Sequence, residues 1–349
     1  MKSILAFYMG YSESFNGYNY KNKNVFGSEI NTIKLAESLV DLYDIYIFVH
    51  NLNVNEEIIY NNVNYLNNDK IKNFKNIDIL VIVRYINFFI YNKIKANKIF
   101  IWVCDTIINP YYQGLILHNN GNNLLYNLKD KITGIICLSN WHLNNLQQVY
   151  DLHLFKHTII SNPLDTTYYK DNIPIIKNRF IYMSDPNRGL EILLDCLLFI
   201  QNFIYISLVV FRKDEFTENI QKKIKLLSNV IIYGKESQET IANECLRSEY
   251  FFYPTNFPET FCNCAAEAQL YKTVCIYNNI GGLNTTIGDR GLQINYDLND
   301  PNYINKTCYD VMNLMNNEEK KEDFKFRGYM WAKNLDINIL KNNWIKLFK

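Results

Sequence analysis

The sequence lacks an excess of either charge. Of its 349 residues, 36 are Lys or Arg and 35 are Asp or Glu, which leaves a formal net charge of +1. A protein that holds a nucleic-acid backbone normally carries a clear basic excess, so the composition disfavours that class of partner. The chain also lacks an apolar run long enough for a membrane span or a signal peptide, since the run at residues 4–9 is too short for either. We therefore expect a soluble, cytoplasmic protein.

The sequence also lacks the common metal-binding and cofactor-binding motifs. The 8 cysteines are scattered, and Cys262 and Cys264 form C-x-C rather than the paired C-x-x-C of a zinc site. The 5 histidines show no H-E-x-x-H spacing. We predict reduced, buried cysteines and no metal site. No G-x-G-x-x-G follows the first apolar run and no P-loop occurs, which disfavours a dinucleotide-dependent dehydrogenase.

Short runs rich in Ile, Val, Phe and Tyr alternate with amphipathic segments along the chain. The runs are almost continuously apolar, as in parallel strands that are covered on both faces. The first amphipathic segment follows Ser28, which we predict to be the N-cap of a helix. Strand–helix alternation implies right-handed crossovers and parallel sheets. The predicted strands are residues 3–9, 45–49, 78–83, 98–103, 134–138, 158–161, 179–183, 203–210, 229–233, 249–253, 273–277 and 291–294.

A chain of this length exceeds the usual size of one hydrophobic core, so two domains are expected. The polar segment 171–178, which contains Pro174, divides the predicted strands into two series of six. We predict an N-terminal Rossmann-like domain at 1–172, a C-terminal one at 173–335, and a final helical segment at 336–349 that can pack back on the first domain. Paired domains of this kind bind ligands at the carboxyl edges of their sheets.

Two glutamates eight positions apart distinguish the second half of the chain. Glu259 ends the loop after a predicted strand, and we predict a helix at 260–271 directly after it. Glu267 would then lie about two turns into that helix, between alanines, where a carboxylate needs a partner such as a ribose diol. The amides at the start of such a helix suit an anion or a hydroxyl group. These predicted amides belong to Thr260, Phe261 and Cys262.

Taken alone, two glutamates are better interpreted as solvated side chains, because most Glu residues are exposed. The surrounding motifs favour a different interpretation. Pro-Glu-Thr-Phe-Cys at 258–262, Ala-Glu-Ala-Gln at 266–269 and the glycines at 281–282 and 288–291 resemble the E-x7-E region of retaining family 4 glycosyltransferases. The resemblance covers nearly the whole chain, densely from 179 to 294 and sparsely from 45 to 97.

That family has the GT-B fold, an α/β architecture of two Rossmann-like domains whose parallel sheets face each other across an inter-domain cleft. The resemblance implies a metal-independent, hexosyltransferase-like enzyme without a separate cofactor. Its donor would be a nucleotide sugar, with a UDP- or GDP-sugar as the first expectation, and the sugar would move to a glycan or other sugar acceptor with retention. It also implies that Glu259 is catalytic, close to the donor sugar, and that Glu267 binds the donor ribose.

Two further loops of the second half fit the resemblance. The segment 182–190 resembles the family's strand-to-helix loop, in which Arg188 would bind the donor diphosphate and stabilise the leaving group. Many relatives carry another basic residue earlier in this loop, where Ser184 and Asp185 stand here. Gly234 and Lys235 resemble the loop that contacts the nucleobase, because a glycine permits close approach of the backbone. In isolation, each of these residues would be read as part of an ordinary turn.

The first half supplies the expected acceptor side. Gly27 and Ser28 stand in a segment that resembles the G-G-x-E loop, and their amides would contact the donor phosphate or the acceptor. Cys104 and Asp105 resemble a strand end that reads W-x-H-D in relatives, with Cys104 at the position of the His. Asp105 is the predicted ligand of a sugar hydroxyl and a catalytic candidate. His142, in a segment like S-x-W-H, is predicted on the acceptor side.

Two alternatives remain open from the sequence. A catalytically inert nucleotide-sugar-binding protein would keep Glu267 and Arg188, and Cys104 in place of His permits this interpretation, because a thiol does not donate and accept as an imidazole does. A nucleotide-sugar epimerase of the same architecture is the other, although the E-x7-E region argues against it. The donor base and sugar, the acceptor, the linkage and the oligomeric state are not readable from the sequence.

Overall fold

A computed structural model of the chain describes residues 2–22, 25–108, 111–112, 115–116 and 125–349. The chain divides into two compact units, Met1–Pro163 together with Ile337–Lys349, and Leu164–Asp336. The division therefore falls earlier than the predicted boundary at 172/173. The physical reason is local pairing, because the amide of Leu164 donates to the carbonyl of Leu335 at 2.8 Å and holds this segment on the second unit.

The strands of the first unit are β1 (Ser3–Met9), β2 (Tyr43–Val49), β3 (Glu57–Tyr60), β4 (Val63–Asn67), β5 (Ile77–Val83), β6 (Ala96–Trp102), β7 (Tyr111–Tyr112), β8 (Leu115–Ile116), β9 (Gly134–Cys137) and β10 (His157–Ile159). Eight of these described strands form one sheet in the order β10-β9-β6-β5-β1-β2-β4-β3, while β7 and β8 pair with each other. Within the large sheet all neighbours are parallel except β3 and β4. The order along the chain reverses between β1 and β5.

The second unit contains β11 (Ile176–Tyr182), β12 (Ser207–Val210), β13 (Val230–Ile232), β14 (Ser248–Tyr253), β15 (Val274–Asn278) and β16 (Gly291–Ile294). They form a wholly parallel sheet in the order β13-β12-β11-β14-β15-β16. The strand order reverses between β11 and β14. In doubly wound sheets of this kind, ligands bind outside the carboxyl ends of the strands at such a reversal, so each unit has one predicted binding edge.

The α-helices that the structure describes in the first unit are α1 (Gly17–Asn22), α2 (Gly27–Leu39), α3 (Phe88–Tyr91) and α4 (Asn140–Val149). The second unit has α5 (Leu190–Ile200), α6 (Glu218–Ile224), α7 (Gln238–Arg247), α8 (Asn263–Leu270), α9 (Leu283–Thr286), α10 (Tyr303–Met315) and α11 (Glu318–Ala332), and α12 (Ile337–Phe348) returns to the first unit. Short 3-10 turns occur at Asn68–Asn73, Leu152–Leu154, Thr166–Tyr168, Lys213–Glu215, Gly288–Arg290 and Lys333–Leu335.

Both faces of the first sheet are covered, which explains its continuous apolar strands. Along β6, Ile99 and Ile101 point into the buried clusters on one face. The alternate residue Trp102 packs on the other face against Trp344 of α12, with ring centroids 4.7 Å apart, and both rings are buried. Lys98 at the start of β6 also donates to the carbonyl of Phe348 at 2.7 Å. The helix α12 is therefore part of the core of the first unit.

Buried ion pairs fasten two helices to the second sheet. Arg179 of β11 is paired with Glu244 of α7, and Lys321 of α11 binds Glu249 of β14 with 2.7 Å between Nζ and Oε1. All four side chains are largely withdrawn from water. A buried charge is costly unless it is paired, so these contacts fix where each helix can sit.

Candidate functional site

The strand order of the second sheet reverses between β11 and β14, and the loops after these two strands bring together the two residues predicted to be catalytic in this unit. Arg188 lies in the loop after β11 and Glu259 in the loop after β14. Nη1 of Arg188 donates to Oε1 of Glu259 at 3.0 Å. Glu259 is 7% exposed, whereas about a third of the Arg188 side chain faces solvent. The pair thus lies at the expected binding edge with its cation accessible.

A tyrosine that the sequence interpretation missed fixes the orientation of Glu259. The hydroxyl of Tyr253, the last residue of β14, donates to the same Oε1 at 2.7 Å and lies 3.1 Å from Oγ of Ser184. Burial and then the charge of Glu259 raise the pKa of Tyr253, so the phenol stays protonated as a donor. No described residue donates a hydrogen bond to Oε2 of Glu259, so this oxygen can accept one from a ligand.

Arg188 is held from a second direction. Its guanidinium lies over the ring of Phe257 with 3.8 Å between Cζ and the ring centroid, a cation–π contact. Burial is the largest single effect and lowers the pKa of Arg188, but Glu259, Tyr253 and Asp185 together outweigh it, and the pKa is raised. The side chain is therefore a fixed, permanently charged fork, which suits a phosphate group.

Glycines allow the loops of the site to pack on one another. Gly189 has φ 109°, and a Cβ there would lie 2.4 Å from the carbonyl oxygen of Pro254, so the loops after β11 and β14 touch through backbone. Gly281 has φ 59°, and its Cβ would lie 2.6 Å from the carbonyl oxygen of Glu259. A side chain at either position would displace the loop that carries Glu259. This explains the glycines at 281–282 in steric terms.

The helix after Glu259 begins later than the sequence predicted. Cys262 adopts a left-handed conformation with φ 70° and precedes α8, which starts at Asn263. Thr260, Phe261 and Cys262 therefore belong to the loop, and the predicted helix-terminal amides are corrected to those that follow Cys262. The reason is tertiary, because the carbonyl of Phe261 accepts from the hydroxyl of Thr286 instead of beginning the helix ladder.

Glu267 accordingly lies one turn into α8 rather than two. Its neighbours Ala265, Ala266 and Ala268 are fully buried, while Glu267 itself is half-buried. Its negative charge contributes, after burial, to the raised pKa of Cys264 in the first turn of the helix. The carboxylate therefore lies close to the first turn of α8, on a helix whose adjacent positions are packed.

The predicted nucleobase loop follows the edge strand β13. The carbonyl of Gly234 accepts a hydrogen bond from the amide of Arg212 at 3.0 Å. A Cβ on Gly234 would meet no atom closer than 3.8 Å, so no internal contact requires a glycine there. Lys235 is exposed, and its Nζ lies 3.8 Å from a carboxylate oxygen of Glu215.

In the first unit, the carboxyl edge carries an ion pair between Asp105, after β6, and Arg84, after β5. Nε of Arg84 donates to Oδ2 of Asp105 at 2.7 Å, and its guanidinium lies 4.9 Å from the ring centroid of Tyr85. Arg84 has φ 69°, a conformation that non-glycine residues adopt mostly where the surroundings impose it. No sequence motif pointed to Arg84, because its partner is 21 residues away in the loop after another strand.

His142, which was predicted on the acceptor side, lies in the core directly beneath the backbone of Asp105. The ring is fully buried, its Nδ1 accepts from the amide of Leu138 at 3.2 Å, and Nε2 lies 2.8 Å from the carbonyl of Asp105. Both ring nitrogens are thus used by the backbone. Burial lowers the pKa of His142 to about 4, so the ring is neutral. Its effect on the site is to fix the backbone of Asp105.

The other predicted residues of the first unit lie near this edge. Cys104 is partly exposed, and burial followed by the charge of Asp105 raises the pKa of its thiol. Gly27 begins α2, and Ser28 is inside the helix rather than its N-cap, since the helix is preceded by Phe26 and the hydroxyl of Ser28 donates to Glu29. Glu29 is buried, and burial raises its pKa.

The fold is similar to those of several solved structures. The chain is similar over 99% of its length to sucrose-phosphate synthase from Thermosynechococcus elongatus, with 98% of that chain covered, 12% identity and a TM-score of 0.77. A glycosyltransferase from Rickettsia africae ESF-5 matches 100% of this chain and 98% of its own at 14% identity and TM-score 0.69. HepE from Anabaena, solved in complex with UDP, matches 99% and 98% at 13% identity and TM-score 0.68.

At these identities the likeness concerns the fold, and it confirms the predicted class: the chain is an α/β protein of the GT-B type, with parallel sheets in two units. No protein-family profile matches the sequence. The search among curated proteins found no match either.

The described residues contain neither a metal-binding cluster nor a membrane-spanning helix. Within these ranges, no three or more His, Cys, Asp and Glu side chains are grouped so that they could hold a metal ion. In the same part of the chain, no helix is long and apolar enough to cross a membrane.

Proposed function

We propose that this protein is a retaining glycosyltransferase that moves a sugar from a nucleotide-sugar donor to a glycan or other sugar acceptor. The observation that carries the proposal is the Arg188–Glu259 pair at the strand-order reversal of the second sheet, with one carboxylate oxygen of Glu259 open to a ligand. The likeness to solved glycosyltransferases, one of them holding UDP, supports the same class.

In this proposal the second unit binds the donor. Glu267 accepts hydrogen bonds from the ribose hydroxyls, and the backbone at Gly234 and Lys235 lies against the nucleobase. Arg188 and the first-turn amides of α8 face the diphosphate, whose negative charge increases as the bond to the sugar breaks. Glu259 binds a sugar hydroxyl through Oε2. Fixed cations and amides perform the charge stabilisation here, so we expect no requirement for a metal ion or a separate cofactor.

The first unit would bind the acceptor. Asp105, oriented by Arg84 and by the buried ring of His142, accepts a hydrogen bond from an acceptor hydroxyl. The raised pKa of Cys104 keeps its thiol protonated at neutral pH, so it does not serve as a base. We propose that the proton of the attacking hydroxyl passes to the departing phosphate oxygen, which requires no protein base at position 104 and gives retention of configuration.

Binding of UDP-, GDP- and ADP-sugars by calorimetry or thermal shift tests the donor site. Arg188→Ala removes a charged contact to the diphosphate and Glu267→Ala removes two ribose contacts, so each variant should weaken binding about 10- to 100-fold. The matched control is Arg247→Ala, which removes an exposed arginine at the far end of α7. Unchanged affinity in both site variants would contradict the proposal.

Transfer itself requires a second measurement. Radiolabelled donor with mixed acceptors, or slow hydrolysis of the donor, should give product in the presence of EDTA, and the anomeric configuration of that product reports retention. A parent protein that binds nucleotide sugars but never releases the sugar would instead be the inert binding protein. Conversion of the donor into a different nucleotide sugar without an acceptor would identify an epimerase.

A further inference from the structure

The phosphate-binding loop of the second unit carries a negative charge where a cation is expected. Asp185 stands in the loop between β11 and α5, and its carbonyl accepts hydrogen bonds from the hydroxyl of Tyr182 at 2.8 Å and from the amide of Arg188 at 2.9 Å. Its carboxylate is only partly exposed. A carboxylate this close to a bound diphosphate would repel it unless a cation compensates.

Arg212 supplies that cation from the loop after the neighbouring strand β12. Its Nη2 lies 3.5 Å from Oδ2 of Asp185 and 2.6 Å from Oε2 of Glu215. The side chain is 16% exposed. Both printed distances are to Nη2, and a guanidinium has five N–H donors, so donors at Nη1 and Nε remain for a further acceptor.

The backbone at Arg212 is held in an unusual conformation. With φ 66° and ψ 42° it is left-handed, although the residue is not a glycine. Its amide donates to the carbonyl of Gly234 at 3.0 Å, and the next amide, of Lys213, donates to the carbonyl of Tyr233 at 3.1 Å. These bonds aim the arginine from the end of β12 towards Asp185. Conformational strain of this kind is typical of functional sites.

The contacts of Arg212 connect the two donor-binding loops. Its backbone touches Gly234, in the loop proposed for the nucleobase, and its side chain touches Asp185, in the loop proposed for the diphosphate. In a nucleotide the diphosphate lies next to the nucleoside, so a residue between these loops is within reach of it. Burial raises the pKa of Cys264 in the first turn of α8, and the charges of Arg188 and Arg212 both act against that rise.

We propose that Arg212 is a second diphosphate-binding residue beside Arg188, and that it replaces the basic residue that the loop after β11 lacks. The proposal rests on the proposed function, because it concerns the same donor site. When the diphosphate binds, Arg212 donates to a phosphate oxygen through Nη1 or Nε, while Glu215 keeps the side chain in place.

The test compares ligands that differ only in phosphate content. Affinities of the parent and of Arg212→Gln are measured for UDP, GDP and ADP, and then for the nucleoside of whichever diphosphate binds tightest. Loss of a charged hydrogen bond should weaken the diphosphate about 10- to 100-fold and leave the nucleoside affinity unchanged. Arg212→Lys should restore part of the loss, since an ammonium keeps the charge but not the planar fork.

A second variant, which should bind the diphosphate more tightly, distinguishes a specific effect from misfolding. Asp185→Asn removes the repelling charge but keeps an oxygen for the contacts with Asn187, so diphosphate affinity should rise, by about 3- to 10-fold. A destabilised loop cannot produce tighter binding. Arg247→Gln, with an exposed arginine in the same unit, is the matched control and should bind like the parent.

The outcomes separate the two proposals. A parent that binds none of the three diphosphates overturns the proposed function and this inference with it. A parent that binds one of them, together with an Arg212→Gln variant of equal diphosphate affinity, overturns only the role of Arg212. Equal losses of diphosphate and nucleoside affinity would also contradict it, because they would indicate a general distortion of the loop.

Discussion

At the scale of single residues, Tyr253 shows how the protein fixes a carboxylate. The phenol and Arg188 both donate to Oε1 of Glu259, so the side chain cannot rotate without losing two bonds. This leaves Oε2 as the oxygen presented to a ligand. A charged acceptor with two fixed donors is pre-organised, which matters more for transition-state binding than for ground-state binding.

Tyr253→Phe should therefore lower kcat/KM for sugar transfer about 10-fold, through the loss of one hydrogen bond to a charged group. The volume of the side chain is nearly unchanged, so nucleoside diphosphate affinity should stay within about twofold of the parent. Steady-state kinetics and calorimetry measure the two quantities. Tyr309→Phe, at an exposed tyrosine of α10, is the control. Equal activity of both variants would rule out the orienting role.

His142 gives a residue-scale prediction about pH. In the folded protein its pKa is about 4, whereas an unfolded histidine titrates near 6.5. Between these values the unfolded state binds more protons, so stability is fully present above about pH 6.5 and is lost as the pH falls towards 4, by at most about 3 kcal/mol. His142→Asn should show a shallower loss over this window in urea denaturation. An identical slope in both proteins would contradict the burial argument.

At the scale of secondary-structure elements, the loop after β14 depends on a glycine 22 positions after Glu259. Gly281→Ala would push a Cβ to 2.6 Å from the carbonyl oxygen of Glu259 at a left-handed position, so we expect a loss of stability of at least about 1 kcal/mol and weaker nucleotide binding. Gly234→Ala is the steric control, because its Cβ meets nothing closer than 3.8 Å. Thermal unfolding distinguishes the two variants. Equal melting temperatures would show that the loop after β14 shifts to accommodate the new Cβ without loss of stability.

The strands were the most predictable elements. Their apolar runs identified β1 and β16 residue for residue, and most other strands within about three residues, because both faces of a parallel sheet must be apolar. The hairpin of β3 and β4 was missed, since Asn61 and Asn62 and the polar residues around them resemble a loop. The apolar residues Ile58 and Ile59 of β3 lie next to this turn, but the strand is only four residues long and Ile59 is exposed.

The candidate site was only partly predictable. Motif order indicated Arg188, Glu259 and Glu267, but not the partners that orient them, because contacts such as Tyr253 to Ser184 join different strands. The start of α8 was predicted three residues too early, since a left-handed Cys262 is imposed by tertiary contacts rather than by propensity. Arg212 was overlooked for the same reason, because its proposed role depends on its contact with Asp185 in a neighbouring loop.

At the scale of the whole molecule, the first unit is made of two separated parts of the chain. Residues Met1–Pro163 form the sheet, and α12 covers one of its faces after the entire second unit has intervened. Aromatic rings make this contact. Trp344 is fully buried against Trp102, and the ring centroids of Phe348 and Phe100 are 5.7 Å apart. The stability of the first unit therefore depends on residues distant in sequence.

Trp344→Ala should lower the free energy of unfolding of the first unit by about 3–5 kcal/mol, because it leaves a large cavity in the core. The helix belongs to the first unit, so the unfolding transition of the second unit should not shift. Urea denaturation followed by hydrogen exchange of each unit measures both. Ile339→Ala, at a half-exposed position of α12, is the matched control. A uniform shift of both units would mean that they unfold as one.

The return of α12 has a consequence for synthesis. While the ribosome is still translating residues 164–336, the emerging first sheet lacks the helix that covers Trp102, so an aromatic face stays open to water or to chaperones. The second unit, continuous in sequence, can finish folding first. The first unit is thus begun before the second unit and completed after it.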